Sequence, residues 1–204
     1  LHTQVGELEA AERTLGAALA IARALGDRRI EALILSNLGN VCFSQSRGVD
    51  ARAHYEAAIA LHRSVGNRRQ EGAVLTNLGA LCNREQRMDE ACDYHRQAAA
   101  LFRDLGDRWY EAVALSNLGV SRLNQQRWAE ARAHLEAALV RHRELGDRRH
   151  EAISSGHLAM VSEGEGRPAE ARAHFEAAIA LHREVRNRSG ESTHSRQLGD
   201  LLLK

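Results

Sequence analysis

Several things are scarce in this 204-residue chain, and each scarcity closes off a class of function. No stretch approaches the roughly 20 consecutive apolar residues that a membrane-spanning helix needs, so no membrane role is expected. A surplus of one charge is missing as well. The 28 lysines and arginines against 27 aspartates and glutamates leave +1, without the broad positive field that nucleic-acid binders use. Cys42, Cys82 and Cys92 are too few for a disulfide framework. Cys42 and Cys82 stand 40 residues apart and read as small core residues kept reduced in the cytoplasm. Lysine occurs once, as Lys204, and proline once, as Pro168. The chain has no G-x-S-x-G, no H-E-x-x-H and no paired-cysteine zinc pattern, and "EGEGR" at 163–167 lacks the spacing and the preceding strand of a phosphate loop. The expectation is a protein that is not an enzyme and uses neither cofactor nor metal.

What the chain does contain is a repeat. "LSNLGN" occupies 35–40, "LTNLGA" 75–80 and "LSNLGV" 115–120, a period of 40 residues. Aligned on that period, the chain falls into full units at 27–66, 67–106, 107–146 and 147–186, with partial units at 1–25 and 187–204. Each full unit contains two helices. The first follows Gly26-Asp27, Gly66-Asn67, Gly106-Asp107 or Gly146-Asp147, where glycine ends one helix in the left-handed region and Asp or Asn caps the next. Glu31, Glu71, Glu111 and Glu151 then meet the positive end of the helix dipole. The second helix starts near 48, 88, 128 and 168, with Pro168 at a first helical position.

Leu35, Leu38, Gly39 and Cys42 make one apolar stripe on the first helix, and Ala51, Tyr55 and Ala58 make the opposing stripe on the second. Glycine at 39, 79 and 119 costs roughly 1 kcal/mol of helix stability relative to alanine, so its return at one register predicts a backbone passing close by. No unit buries enough apolar surface alone. An all-α array of stacked helix pairs follows. The pattern weakens toward the C-terminus: Arg122 and Ser162 stand where Cys42 and Cys82 do, "GHLAM" replaces the "NLG" form, and Arg186 replaces the capping glycine.

Leu38-Gly39, Cys42, Ala51, Tyr55 and Ala58 sit at the spacings of the tetratricopeptide repeat, L-G-x2-Y…A-x3-F/Y-x2-A. The chain resembles that family over nearly its whole length, in the longer form seen in Pins-type polarity scaffolds and in arrays attached to bacterial signalling ATPases, kinases and transcription activators. The resemblance implies a right-handed α-solenoid of antiparallel helix pairs, a single array that is an excerpt of a larger signalling or regulatory protein. It also implies that first helices line a concave groove.

Opposite the buried stripe lie Leu33, Asn37, Asn40 and Ser44 in the first full unit, and Ala73, Asn77, Ala80 and Arg84 in the second. The third presents Val113, Asn117, Val120 and Asn124, and the fourth Ile153, His157, Met160 and Gly164. Asn37, Asn77 and Asn117, continued by His157 and Gln197, would form a ladder of groups that both donate and accept hydrogen bonds, matched to an extended peptide backbone. Beside it, Val113, Val120, Ile153 and Met160 favour apolar ligand side chains, and Arg84 an acidic one. A structural alternative gives the asparagines neighbouring helices as partners and makes Arg84 a solvated charge.

The histidines follow the repeat. His54, His134 and His174 share one register with Tyr94, and His62, His142 and His182 share another with Phe102. Interchange with aromatic rings predicts partly buried packing, and the eight-residue spacing of His54 and His62, about 12 Å by helix rise, is too long for a chelating pair. Arg47, Arg87, Arg127 and Arg167 mark turns, with Asp50, Glu90, Glu130 and Glu170 as solvated charges and dipole partners. Two functions compete on this reading. One is a scaffold that binds a protein or extended peptide in the groove; the other is self-assembly through exposed terminal repeats into a homo-oligomer.

Overall fold

The computed structural model describes residues 2–203, with side chains described from Gly6 onward. Among the described residues every regular element is an α-helix: α1 (His2–Leu25), α2 (Arg28–Ser44), α3 (Gly48–Ser64), α4 (Arg68–Arg84), α5 (Met88–Asp104), α6 (Arg108–Asn124), α7 (Trp128–Glu144), α8 (Arg148–Gly164), α9 (Pro168–Glu184) and α10 (Arg188–Leu202). The helices gather into two compact units, residues 1–101 and 102–204. In the first, α1 packs on α2, α2 on α3 and α3 on α4; in the second, α6 packs on α7, α7 on α8, α8 on α9 and α9 on α10. First helices also touch one another, α2 with α4, α6 with α8, and α8 with α10. Each unit is thus an α-solenoid of antiparallel helix pairs.

Short-range chemistry sets the turns. Between repeats the glycines at 26, 66, 106 and 146 have φ between 66° and 70°. The next amide reaches back five residues, Asp27 N to Ala22 O at 3.0 Å and Asp147 N to His142 O at 2.9 Å, which closes the helix end. Asp27 then accepts from the amides of Arg29 and Ile30, Asp107 from Tyr110, Asp147 from His150 and Asn187 from Gly190. Asn67 makes no such side-chain bond. The turns inside the repeats have the same hand, in three of them without glycine: Ser46, Gln86 and Gln126 sit at φ 61°, 62° and 58°, and Gly166 at 72°.

Arg186 occupies the glycine register between α9 and α10 at φ 53°. A non-glycine residue in this region carries roughly 1–2 kcal/mol of strain, and glycine offsets part of that relief through its larger unfolded-state entropy. Arg186→Gly is expected to stabilise residues 102–204 by about 1 kcal/mol, seen as a rise in the urea midpoint. An unchanged or lower midpoint would show that the arginine side chain holds α10 in place.

Packing corrects one sequence expectation. What crosses Gly39, Gly79 and Gly119 is chiefly a side chain. A Cβ at Gly39 would collide with the Tyr55 ring, one at Gly79 would lie 2.5 Å from His95 Cε1, and one at Gly119 would lie 2.7 Å from Leu135 Cγ. At Gly119 backbone is also near, the Ala131 carbonyl at 3.3 Å. The glycine stripe therefore makes the hollow for the large residue of the Ala-x3-large-x2-Ala stripe. Tyr55, His95 and Leu135 are fully buried there, and Phe175 is fully buried against Ala159, which stands at the same register.

The glutamates of the first turns do more than meet a dipole. Glu71, Glu111 and Glu151 are buried, and each is bonded by an arginine eight residues earlier: Arg63 at 2.7 Å, Arg103 at 2.9 Å and Arg143 at 2.9 Å. Burial alone would raise the Glu151 pKa, but the bonds from Arg143 and Arg148 outweigh it and leave the carboxyl below its ordinary range.

The acidic residues after the turns are likewise not simply solvated. Arg52 reaches Glu85 at 2.7 Å and Glu90 at 3.7 Å, and Arg132 reaches Glu165 and Glu170, both at 2.7 Å. In each case the next first helix offers a small residue, Cys82 or Ser162, beside the guanidinium. Where position 92 is cysteine, the guanidinium comes instead from position 122: Arg122 is buried and bonds Gln125 at 2.8 Å and Glu130 at 3.2 Å. The substitution of Arg122 into the Cys42 register thus supplies a charge to an inter-helix turn.

Candidate functional site

The residues opposite the buried stripe stand on the less covered faces of α2, α4, α6, α8 and α10. In the first unit Asn37 and Asn40 are exposed and Asn77 is half-buried. Asn40 and Asn77 are bonded together: Asn40 Oδ1 accepts from Asn77 Nδ2 at 3.0 Å and from the Tyr55 hydroxyl at 2.8 Å. They line a cleft of about 340 Å³ with Phe43, Ser44, Tyr55 and Ala80. Arg84 is exposed, and its guanidinium lies 3.7 Å from the centre of the Phe43 ring. It is a stacked cation, pre-positioned by an aromatic face.

In the second unit Asn117, His157, Val113, Val120 and Met160 are half-buried, and Asn124 is exposed. A larger cleft of about 600 Å³ brings Asn124, Met160 and Gln197 together with Leu123, Gln126, Trp128, Glu163, Gly164, Phe175 and Asp200. Gln197 Nε2 lies 3.7 Å from Met160 Sδ, and its Oε1 is buried without a hydrogen-bond partner among the described residues. Asn117, Val113, Val120 and His157 line neither of the two clefts. Burial and the nearby His194 push the His157 pKa down to about 4, so the ring is neutral near pH 7.

Of the residues singled out from the sequence, Asn40 and Asn77 come together in one cleft and Asn124 and Met160 in the other, and Arg84 lies outside both. It missed Phe43, the Tyr55 hydroxyl, Trp128 and Asp200. Phe43 and Arg84 are 41 residues apart, one more than the period, and that offset is a signal for a stacked pair across neighbouring first helices. The histidines are packed more deeply than the pattern predicts. His62, His142 and His182 are fully buried, whereas His54, His134 and His174 are half-buried. His62 shares a 3.2 Å hydrogen bond with Ser36, and His142 a 3.5 Å one with Ser116.

With this geometry in hand, comparison with known proteins gives consistent results. The tetratricopeptide repeat family model matches residues 1–64, 30–104 and 110–184. No curated protein matches the chain. Among solved structures, BtubC (BKLC) from P. vanneervenii superposes with a TM-score of 0.81 at 22% identity, over 91% of this chain and 77% of that one. A signal transduction ATPase with numerous domains from Pyrococcus horikoshii, which carries a tetratricopeptide repeat sensor, gives 0.74 at 14% identity over 98% of this chain and 35% of its own. A Rap protein complexed with competence and sporulation factor gives 0.71 at 15% identity, over 95% of this chain and 58% of that one.

Proposed function

The chain belongs to the tetratricopeptide repeat family, and from that premise we propose that it is a non-catalytic scaffold that binds extended protein segments along its first-helix faces. The observation that carries this reading is the pair of open clefts, of about 340 and 600 Å³, lined by amide and aromatic side chains. Amides in such a position can match the alternating donors and acceptors of a peptide backbone. Asn40 and Asn77 hold this position in the first cleft and Asn124 and Gln197 in the second; Asn37, Asn117 and His157 extend the row on the same helices, outside the clefts. Their flanks supply selectivity: Arg84 toward an acidic group, and Val113, Val120 and Met160 toward apolar side chains. The similarity in fold to a Rap protein complexed with competence and sporulation factor and to a signal transduction ATPase with a tetratricopeptide repeat sensor supports a place in a signalling or regulatory protein.

The test is partner capture by the wild type and by an Asn37/Asn77/Asn117→Ala triple variant of matched helicity. The variant is expected to lose the partner by roughly tenfold or more, as when several buried hydrogen bonds go at once. Equal capture by both proteins would sink the asparagine reading. A second reading has its own observation: Ile21 and Leu25 on α1 are 61% and 77% exposed, and Leu202 and Leu203 are 60% and 88% exposed. Self-association in sedimentation, with no other partner bound, would favour stacking of copies instead.

A further inference from the structure

We propose that the cleft of residues 102–204 receives a basic side chain, arginine or lysine, presented by the extended segment of a partner protein; this rests on the scaffold reading above and names what one part of the site selects. The cleft has an apolar wall with one kind of charge at its edge. Trp128 forms that wall, and its position is held by the absence of a side chain on α8. A Cβ at Gly164 would lie 2.8 Å from Trp128 Cη2, so the indole rests on the helix backbone itself. Met160 continues the apolar surface, with the fully buried Phe175 behind it. Around it stand acceptors: the carboxylates of Glu163 and Asp200, and Gln197 Oε1, which is buried without a partner among the described residues. No residue lining the cleft carries a positive charge.

That combination suits a side chain with an apolar stem and a cationic head. The methylenes cover Met160 and the indole while the head reaches the acceptors. A cation over tryptophan gains from the ring quadrupole, and bonds from a cation to a carboxylate are the stronger class. A glutamate in the same place would meet two like charges and leave Gln197 Oε1 unsatisfied. A leucine would fill the wall and satisfy no acceptor. The repeat register sharpens the contrast. The stacked pair of the first unit, Phe43 and Arg84, corresponds two periods of 40 further on to Leu123 and Gly164, both in the lining of this cleft. The second cleft therefore lacks the cation that its register carries in the first unit, and the charged residues that line it, Glu163 and Asp200, are acidic.

The experiment uses the whole chain with Trp109→Phe, which leaves Trp128 as the single tryptophan reporter. Acetylated, amidated nine-residue peptides of alanine and serine carrying a central Arg, Leu or Glu are titrated while the Trp128 emission is followed. The Arg peptide is expected to bind about tenfold more tightly than the Glu peptide, and more tightly than the Leu peptide, with affinity falling as salt rises. Asp200→Asn is expected to weaken the Arg peptide several-fold and leave the Leu peptide unchanged; Asp200 is exposed, so the fold tolerates the change. Gln197→Leu should weaken the Arg peptide alone in the same way. A Leu peptide that binds as tightly as the Arg peptide overturns the basic-side-chain assignment and leaves the scaffold reading standing. So does silence of Trp128 toward all three peptides while partner capture persists and still depends on the asparagines. Loss of both peptide binding and asparagine-dependent capture overturns the scaffold reading itself.

Discussion

Acidification from pH 7 to pH 4 is expected to unfold residues 102–204, with most of the loss between pH 6.5 and 4.5. Three histidines drive it. Burial, joined by the charge of His150, pushes His142 down to about 4. Burial and the neighbouring His194 bring His157 to about 4, and burial and His182 bring His194 to about 4. An unfolded histidine titrates near 6.5. Below that pH the unfolded chain binds protons that the folded chain refuses, so stability falls as pH falls. The contribution is complete above pH 6.5 and gone by about pH 4. Each group is worth on the order of 3 kcal/mol across that window, and three together rival the 5–15 kcal/mol total of a typical domain. The carboxyls of half-buried Asp147 and buried Glu151 act later, because both are held below their ordinary range. Their contribution is lost only as pH falls through those lowered values. Far-UV circular dichroism from pH 8 to pH 3 reads the effect directly. Helicity and urea midpoint unchanged down to pH 4.5 would mean that these rings accept protons without leaving their sites.

His95→Leu is expected to raise the stability of residues 1–101 by about 1–3 kcal/mol, the penalty attached to a buried polar group without a partner. His95 is fully buried, and neither ring nitrogen has a hydrogen-bond partner among the described residues. Burial alone brings its pKa down to about 4. The register shows that leucine fits: Leu135 fills the corresponding hollow over Gly119 as His95 does over Gly79. The variant should also lose part of its acid sensitivity, since the site no longer discriminates against a proton. Urea unfolding at pH 7 and pH 5.5 tests both effects. A variant less stable than the wild type at pH 7 would show that the imidazole is satisfied in solution.

Much of the fold was legible in the chain because its determinants are local. A glycine at 26, 66, 106 or 146 followed by Asp or Asn marks a helix boundary through φ and a cap, and both act within a few residues. The stripes Leu35/Leu38/Cys42 and Ala51/Tyr55/Ala58 recur at helical spacing, so burial could be assigned face by face. Less of the site was legible. Asn37 and Asn40 were placed on an open face, but nothing in the sequence showed that Asn40 would accept from both Tyr55 and Asn77. The sequence offered Arg84 as a group for an acidic ligand or as a solvated charge, and did not show that it stacks on Phe43. The glycine stripe was read as a mark of close backbones because sequence spacing reports that room is needed and not what fills it.

By itself, then, the sequence determined the helix pairs, their period, their buried faces and their turns, since these depend on hydrogen bonds and periodicities spanning fewer than about five residues. The tertiary structure alone decided which groups meet across helices. It set the Arg63–Glu71 type of clasp, the stacking of Arg84, the solvent-free slot of His95, and the cleft in which Trp128, Gln197 and Asp200 converge. The physical reason is that such contacts join residues separated by 8 to 72 positions in the chain. Their geometry follows from how helices pack: Asn77 bonds Asn40 at a separation of 37 residues and Arg84 stacks on Phe43 at 41, neither at the period of 40.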